Sequence, residues 1–98
     1  MDMMDTNAPD KHRYEIYAGD VLAGFAEYTL EDGTVVFTHT EVEPQFEGEG
    51  VGSTLIRDAL EDVRRQGRQV VPLCRFVAEY IERHSDDFGD LVAARDAG

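Results

Sequence analysis

The sequence predicts one layered α/β domain with a mixed sheet of about four to five strands and two main helices. Three observations carry that expectation. Three β-rich stretches joined by short turns occupy residues 13–42, and an amphipathic helical pattern follows over 51–66. Glycines at alternate positions, Gly48, Gly50 and Gly52, separate the two. A further β-branched stretch over 68–73 and a second helical pattern over 75–84 complete the order. The first three strands read as antiparallel hairpins, whereas a strand–helix–strand connection of this length favours a parallel crossover.

Each element has a local reason. Residues 1–12 are polar and charged without periodicity, and they read as a flexible acidic tail ahead of a single domain over 13–98. In the first strand, 13–18, Tyr14 and Ile16 share a face, and Gly19-Asp20 forms a tight turn. The second, 21–30, puts Leu22, Ala26 and Tyr28 on one face and Phe25 on the other. Asp32-Gly33 then favours positive φ and turns the chain again. In the third strand simple alternation places Val35, Phe37, His39 and Glu41 on one face and Val36, Thr38, Thr40 and Val42 on the other. Pro44 ends that pairing.

The first helix carries an apolar stripe of Val51, Leu55, Ile56, Ala59, Leu60 and Val63. Arg64 and Arg65 complement its dipole in the last turn, and Gly67 closes it in the left-handed region. Val70-Val71 marks a buried strand. The second helix turns Phe76, Val77, Tyr80 and Ile81 inward. Leu91-Val92 either adds a short strand or packs as a tail.

Composition bounds the function. Twenty-one acids against nine bases give a net charge of −12 on 98 residues, and every base except Lys11 is an arginine. Such a field repels nucleic acid and anionic lipid and attracts amines. An acidic, lysine-poor surface is equally what a protein of a high-salt cytoplasm carries. No apolar run reaches the roughly 20 residues of a membrane span, and the acidic start lacks the basic-then-apolar order of a signal peptide. A lone cysteine, Cys74, agrees with a reducing compartment. These features predict a cytoplasmic monomer or weak dimer without nucleic-acid or membrane partners.

A strand, a glycine turn and a helix start together suit an anion, usually a phosphate, because the first turn presents unpaired N–H groups. The run from Gln45 to Gly50 also resembles the Gln/Arg-x-x-Gly-x-Gly/Ala signature of the GNAT superfamily of N-acetyltransferases. The flanking stretches, Phe37 to Val42 and Val70 to Val77, resemble its compact single-domain branch, which has a Pro-x-Cys-x-Phe pattern, here Pro72 to Phe76. The resemblance spans Tyr14 to Val92 and implies the compact acyl-CoA N-acyltransferase fold, acetyl-CoA as cofactor and an amine, small molecule or protein, as acceptor.

The resemblance also implies roles. Gln45, Phe46, Glu47, Gly48, Glu49, Gly50, Val51 and Gly52 would hold the pyrophosphate through the backbone. Thr40, Glu41 and Val42 would lie where the preceding strand splays and meets the pantetheine arm. Glu47 and Glu49 depart from the basic or neutral residues of many relatives and repel an anion. His39 is a candidate general base, with Glu41 a second, acting through water. For Cys74 three roles stand side by side: a covalent acetyl carrier, a thiol lining the acetyl pocket, or a small buried filler. Turnover through direct attack by the amine is one functional reading; a CoA-binding sensor or interaction module is the other. His12 and His84 read as surface or helix-end residues, and Arg75 is either solvated or a contact for the CoA 3′-phosphate.

Overall fold

A computed structural model describes residues 3–93. Five strands form one sheet in the order β1-β2-β3-β4-β5: β1 (Met3–Ala8), β2 (Arg13–Ala18), β3 (Val21–Glu31), β4 (Thr34–Val42) and β5 (Val70–Pro72). The first four are antiparallel neighbours, and β5 runs parallel to β4, as the crossover predicts. Helix α1 (Val51–Arg65) is that crossover, followed after β5 by α2 (Arg75–Arg83) and the short α3 (Ser85–Phe88). Among the described residues no helix is long and apolar enough to cross a membrane.

The turns follow their residues. Asp32 and Gly33 both take positive φ, 53° and 80°, as a two-residue hairpin loop requires. Helix α1 ends where Gly67 adopts φ 70°. There the Arg68 N–H reaches the Val63 carbonyl at 3.1 Å and the Gly67 N–H the Arg64 carbonyl at 3.0 Å, a Schellman closure. The stripe of α1 is fully buried against β1 to β4. Its large members, Leu55, Ile56 and Leu60, each contribute about 1.5–3 kcal/mol of burial. Leu91 is buried, and Val92 makes a parallel bridge to Val70, so the end of the domain extends the sheet briefly.

Three expectations need correction. Residues 3–8, read as part of a flexible tail, form β1, paired in register with β2 from Met3–Ala18 to Ala8–Arg13. Asn7 on this strand accepts a hydrogen bond from the Tyr28 hydroxyl at 2.8 Å. The strand is polar because it lies at the sheet edge, so helical or apolar periodicity could not announce it.

The other two corrections are β-bulges. In β3 an extra residue, Ala23, sits between the pairs Ile16–Gly24 and Tyr17–Leu22. Ala23 is therefore fully buried, and Leu22 turns away from the face shared by Ala26 and Tyr28. In β4 the extra residue is Thr38, between the pairs Tyr28–Phe37 and Glu27–His39. A bulge advances the strand by one residue and inverts its alternation. Phe37 thus shares the α1 face of the sheet with Thr40 and Val42, which pair with Ala26 and Gly24. His39 and Glu41 share the opposite face with Glu27 and Phe25.

Candidate functional site

The bulge also sets where β4 and β5 part. They pair only over Val35–Val70, Val36–Val71 and Phe37–Pro72. The Phe37 carbonyl then accepts from both the Leu73 and Cys74 N–H groups, each at 3.0 Å, and the ladder stops. β4 continues to Val42, still held on its other side by β3, so its edge beyond Phe37 faces a V-shaped opening. Backbone donors and acceptors along that edge are available to an extended ligand.

At the wide end of the V stands the glycine loop. Pro44–Phe46 makes one 3₁₀ turn, after which Gly48 and Gly50 take φ 84° and 75°. Gly50 is the N-cap of α1 and, having no side chain, offers no capping bond. The first α1 bond joins the Thr54 N–H to the Gly50 carbonyl, leaving the N–H groups of Val51, Gly52 and Ser53 outside the helical ladder. Nothing lies within 4 Å of where a Cβ on Gly48 or Gly50 would stand. The space beside the loop is free for a ligand to meet the backbone.

These pieces enclose one cleft of about 430 Å³, lined by Thr40, Val42, Phe46, Glu47, Gly48, Gly50, Val51 and Gly52 together with Ser53 and Phe76. Of the cofactor-binding residues expected from sequence, only Gln45 and Glu49 lie outside its walls, both exposed. Glu47 brings a carboxylate to the rim.

Cys74, expected from the sequence to line the site, stands behind the cleft lining and not in it. It is the N-cap of α2 and half-buried, and its thiol donates to the Thr40 hydroxyl at 3.4 Å. The structure thus joins Cys74 to the cleft wall. It does not join His39 and Glu41 to it. His39 Nε2 lies 3.4 Å from Glu41 Oε1, both exposed on the opposite sheet face, and the His39 ring sits 6.3 Å from that of Phe25. His84 caps the end of α2 and is exposed, and His12 lies at a left-handed turn with φ 54°.

Sequence reasoning missed Phe76. It was expected on the inner side of α2, yet it is 42% exposed and its ring forms a wall of the cleft. A Cβ on Gly52 would come within 2.5 Å of that ring, so Gly52 serves helix-to-ring contact. The available signal was the pair itself: a glycine inside the first helical turn, which costs helix stability unless something packs there.

The sequence signature of the GCN5-related N-acetyltransferases matches residues 13–91, the span that builds the splayed strands, the glycine loop and both helices. The chain belongs to that family. Two solved structures place the fold alongside it. A GCN5-like protein from Staphylococcus aureus, assigned as an N-acetyltransferase, superposes with a TM-score of 0.67 over 96% of this chain and 91% of its own, at 18% identity. The ribosomal-protein-S18-alanine N-acetyltransferase of Escherichia coli gives 0.63 over 74% of this chain and 50% of its own, at 13% identity. This chain is thus similar in extent to the first and to about half of the second. No curated protein matches the sequence.

Proposed function

We propose that the chain is an acetyl-CoA-dependent N-acetyltransferase that moves an acetyl group to a primary amine by direct attack. The observation that carries this reading is the meeting of an uncapped helix start with a splayed strand edge in one cleft. The donor set fits the group. Three N–H groups and the positive helix end suit a pyrophosphate, and the β4 edge beyond Phe37 suits the amide groups of a pantetheine arm.

Acetyl-CoA would supply the thioester whose carbonyl carbon the amine attacks, the CoA thiol leaving. The N–H groups of Val51, Gly52 and Ser53 anchor the phosphate end. Backbone N–H groups near Thr40 orient the carbonyl and stabilise the charge that develops on its oxygen. Thr40, held by the Cys74 thiol behind it, bounds the acetyl end. His39 and Glu41 act from the opposite sheet face, so the acceptor enters there and its proton leaves on that side.

The same placement supports a second reading, a CoA-binding module without turnover, because neither candidate base lines the cleft. Mass spectrometry of the protein with acetyl-CoA, native and denatured, tests binding and covalent acetylation together. A panel of amines, spermidine and a lysine peptide among them, tests transfer. Binding without transfer to any amine rejects the enzyme reading. Absence of binding, or binding left intact by Gly50→Val, rejects the site.

A further inference from the structure

We propose that a proton shared between the carboxyl groups of Asp5 and Asp58 latches the edge strand β1 onto helix α1, so that alkali weakens the hold of β1 on the domain.

The geometry is unusual for a carboxylate. Both side-chain oxygens of Asp5 are sealed from solvent and have no hydrogen-bond donor among the described residues. An ionised carboxylate buried without donors is costly, and such a group takes up a proton instead. Asp5 faces Asp58, in the middle of α1, across the narrow cleft that both line. Two carboxylates so placed repel; with one proton between them, Asp5 donates its O–H and Asp58 accepts.

Among the described residues, the groups around the pair leave Asp5 without a donor. From α1, Glu61 and Asp62 line the same cleft of about 360 Å³ and add negative charge. Arg57 faces the pair from α1 but is engaged with Asp58 and Glu61, at 3.2 and 3.7 Å. Arg65 lies 3.4 Å from Asp62. From β2, the Tyr14 hydroxyl is committed to Asp62 at 2.7 Å. Burial first, then the Asp58 charge and hydrogen bond, raise the Asp5 carboxyl from 3.8 to about 8, with Arg57 opposing.

The sign follows. With β1 docked, Asp5 holds a proton that it releases near its ordinary value once β1 is free. Docking is therefore favoured below that ordinary value and weakens as pH rises toward about 8, by up to about tenfold per pH unit. β1 is the strand with only one sheet neighbour on that side, so it can leave without breaking β2 to β5.

The test is amide hydrogen exchange by NMR on the full chain, corrected for intrinsic rates, between pH 6 and pH 9. Protection of residues 3–8 should fall by roughly tenfold or more beyond any change in β3 and β4. Asp5→Asn, neutral and able to donate to Asp58, should make β1 protection flat with pH and higher than in the natural chain at pH 9. Carboxyl carbon shifts of the unsubstituted chain give an independent readout. The Asp5–Asp58 pair should titrate with an upper apparent value near 8. Half-titration of Asp5 near 4, or an equal pH slope in Asp5→Asn, overturns the latch.

Discussion

Phe76 lies so close over Gly52 that a single methyl group on the glycine would come within 2.5 Å of the ring. The contact ties the first turn of α1 to the first turn of α2 across the mouth of the cleft. Gly52→Ala gains roughly 1 kcal/mol in helix propensity but must displace the ring. The expected outcome is a CoA affinity at least tenfold lower with a melting temperature changed by only a few degrees. Calorimetric titration and thermal unfolding measure the two together. Unchanged affinity would show that the ring moves aside freely and does not shape the site.

Cys74 separates two chemical routes. Its thiol donates at 3.4 Å to Thr40, a residue of the cleft wall. With Cys74 only backing Thr40, Cys74→Ala should retain at least a tenth of the transfer rate, and the natural chain should carry no acetyl adduct of about 42 daltons, the signature of covalent catalysis. Loss of all transfer in the variant, with an adduct on Cys74, would establish the covalent route instead.

Salt should strengthen cofactor binding. CoA is a polyanion, the chain carries −12, and Glu47 stands on the rim of the cleft. The Debye length shrinks from about 10 Å at 0.1 M salt to about 3 Å at 1 M, which screens that repulsion. Affinity and melting temperature are both expected to rise between low and molar KCl. Glu47→Gln should flatten most of the slope and Glu49→Gln little of it, because Glu49 lies outside the cleft. A steady fall of affinity with salt in the natural chain would place a basic contact in control.

Glu15 provides an acid-side prediction. It is a buried carboxylate on the face of β2 away from α1, held by Arg13 at 2.6 Å and by the Tyr17 hydroxyl at 3.0 Å. Burial works to raise its pKa, but those hydrogen bonds and the charges of Arg13 and Lys11 outweigh it and hold the carboxyl below its ordinary value. The group therefore adds stability above its unfolded value, and that stability is lost as pH falls through the lower folded value. Glu15→Gln should cost about 1–2 kcal/mol near neutrality and make unfolding less sensitive to acid. Denaturant titrations at pH 7 and pH 3 give both numbers, and an equal cost at the two would reject the assignment.

Local chemistry alone determined much of this protein. Asp32-Gly33 set a hairpin, Gly67 set a helix end, and the stripe from Val51 to Val63 set a helix with one buried face. Those signals reside in neighbouring residues, so they are readable in order along the chain. The glycine run from Gly48 to Gly52 likewise marked where a ligand meets the backbone, because positive φ and an uncapped helix start are local properties. What faces the cleft was decided elsewhere. Ala23 and Thr38 bulge only because the partner strands β2 and β4's neighbour β3 fix the register around them, and each inverts the alternation that sequence predicts. Phe37 therefore parts from His39 and Glu41, although a two-residue period puts all three together. Phe76 left the core for the cleft because Gly52, 24 positions earlier in the chain, offers it a surface without a side chain. β1 was invisible for the same reason. A polar edge strand is held by the ladder and the helix it meets, and neither is encoded in its own six residues.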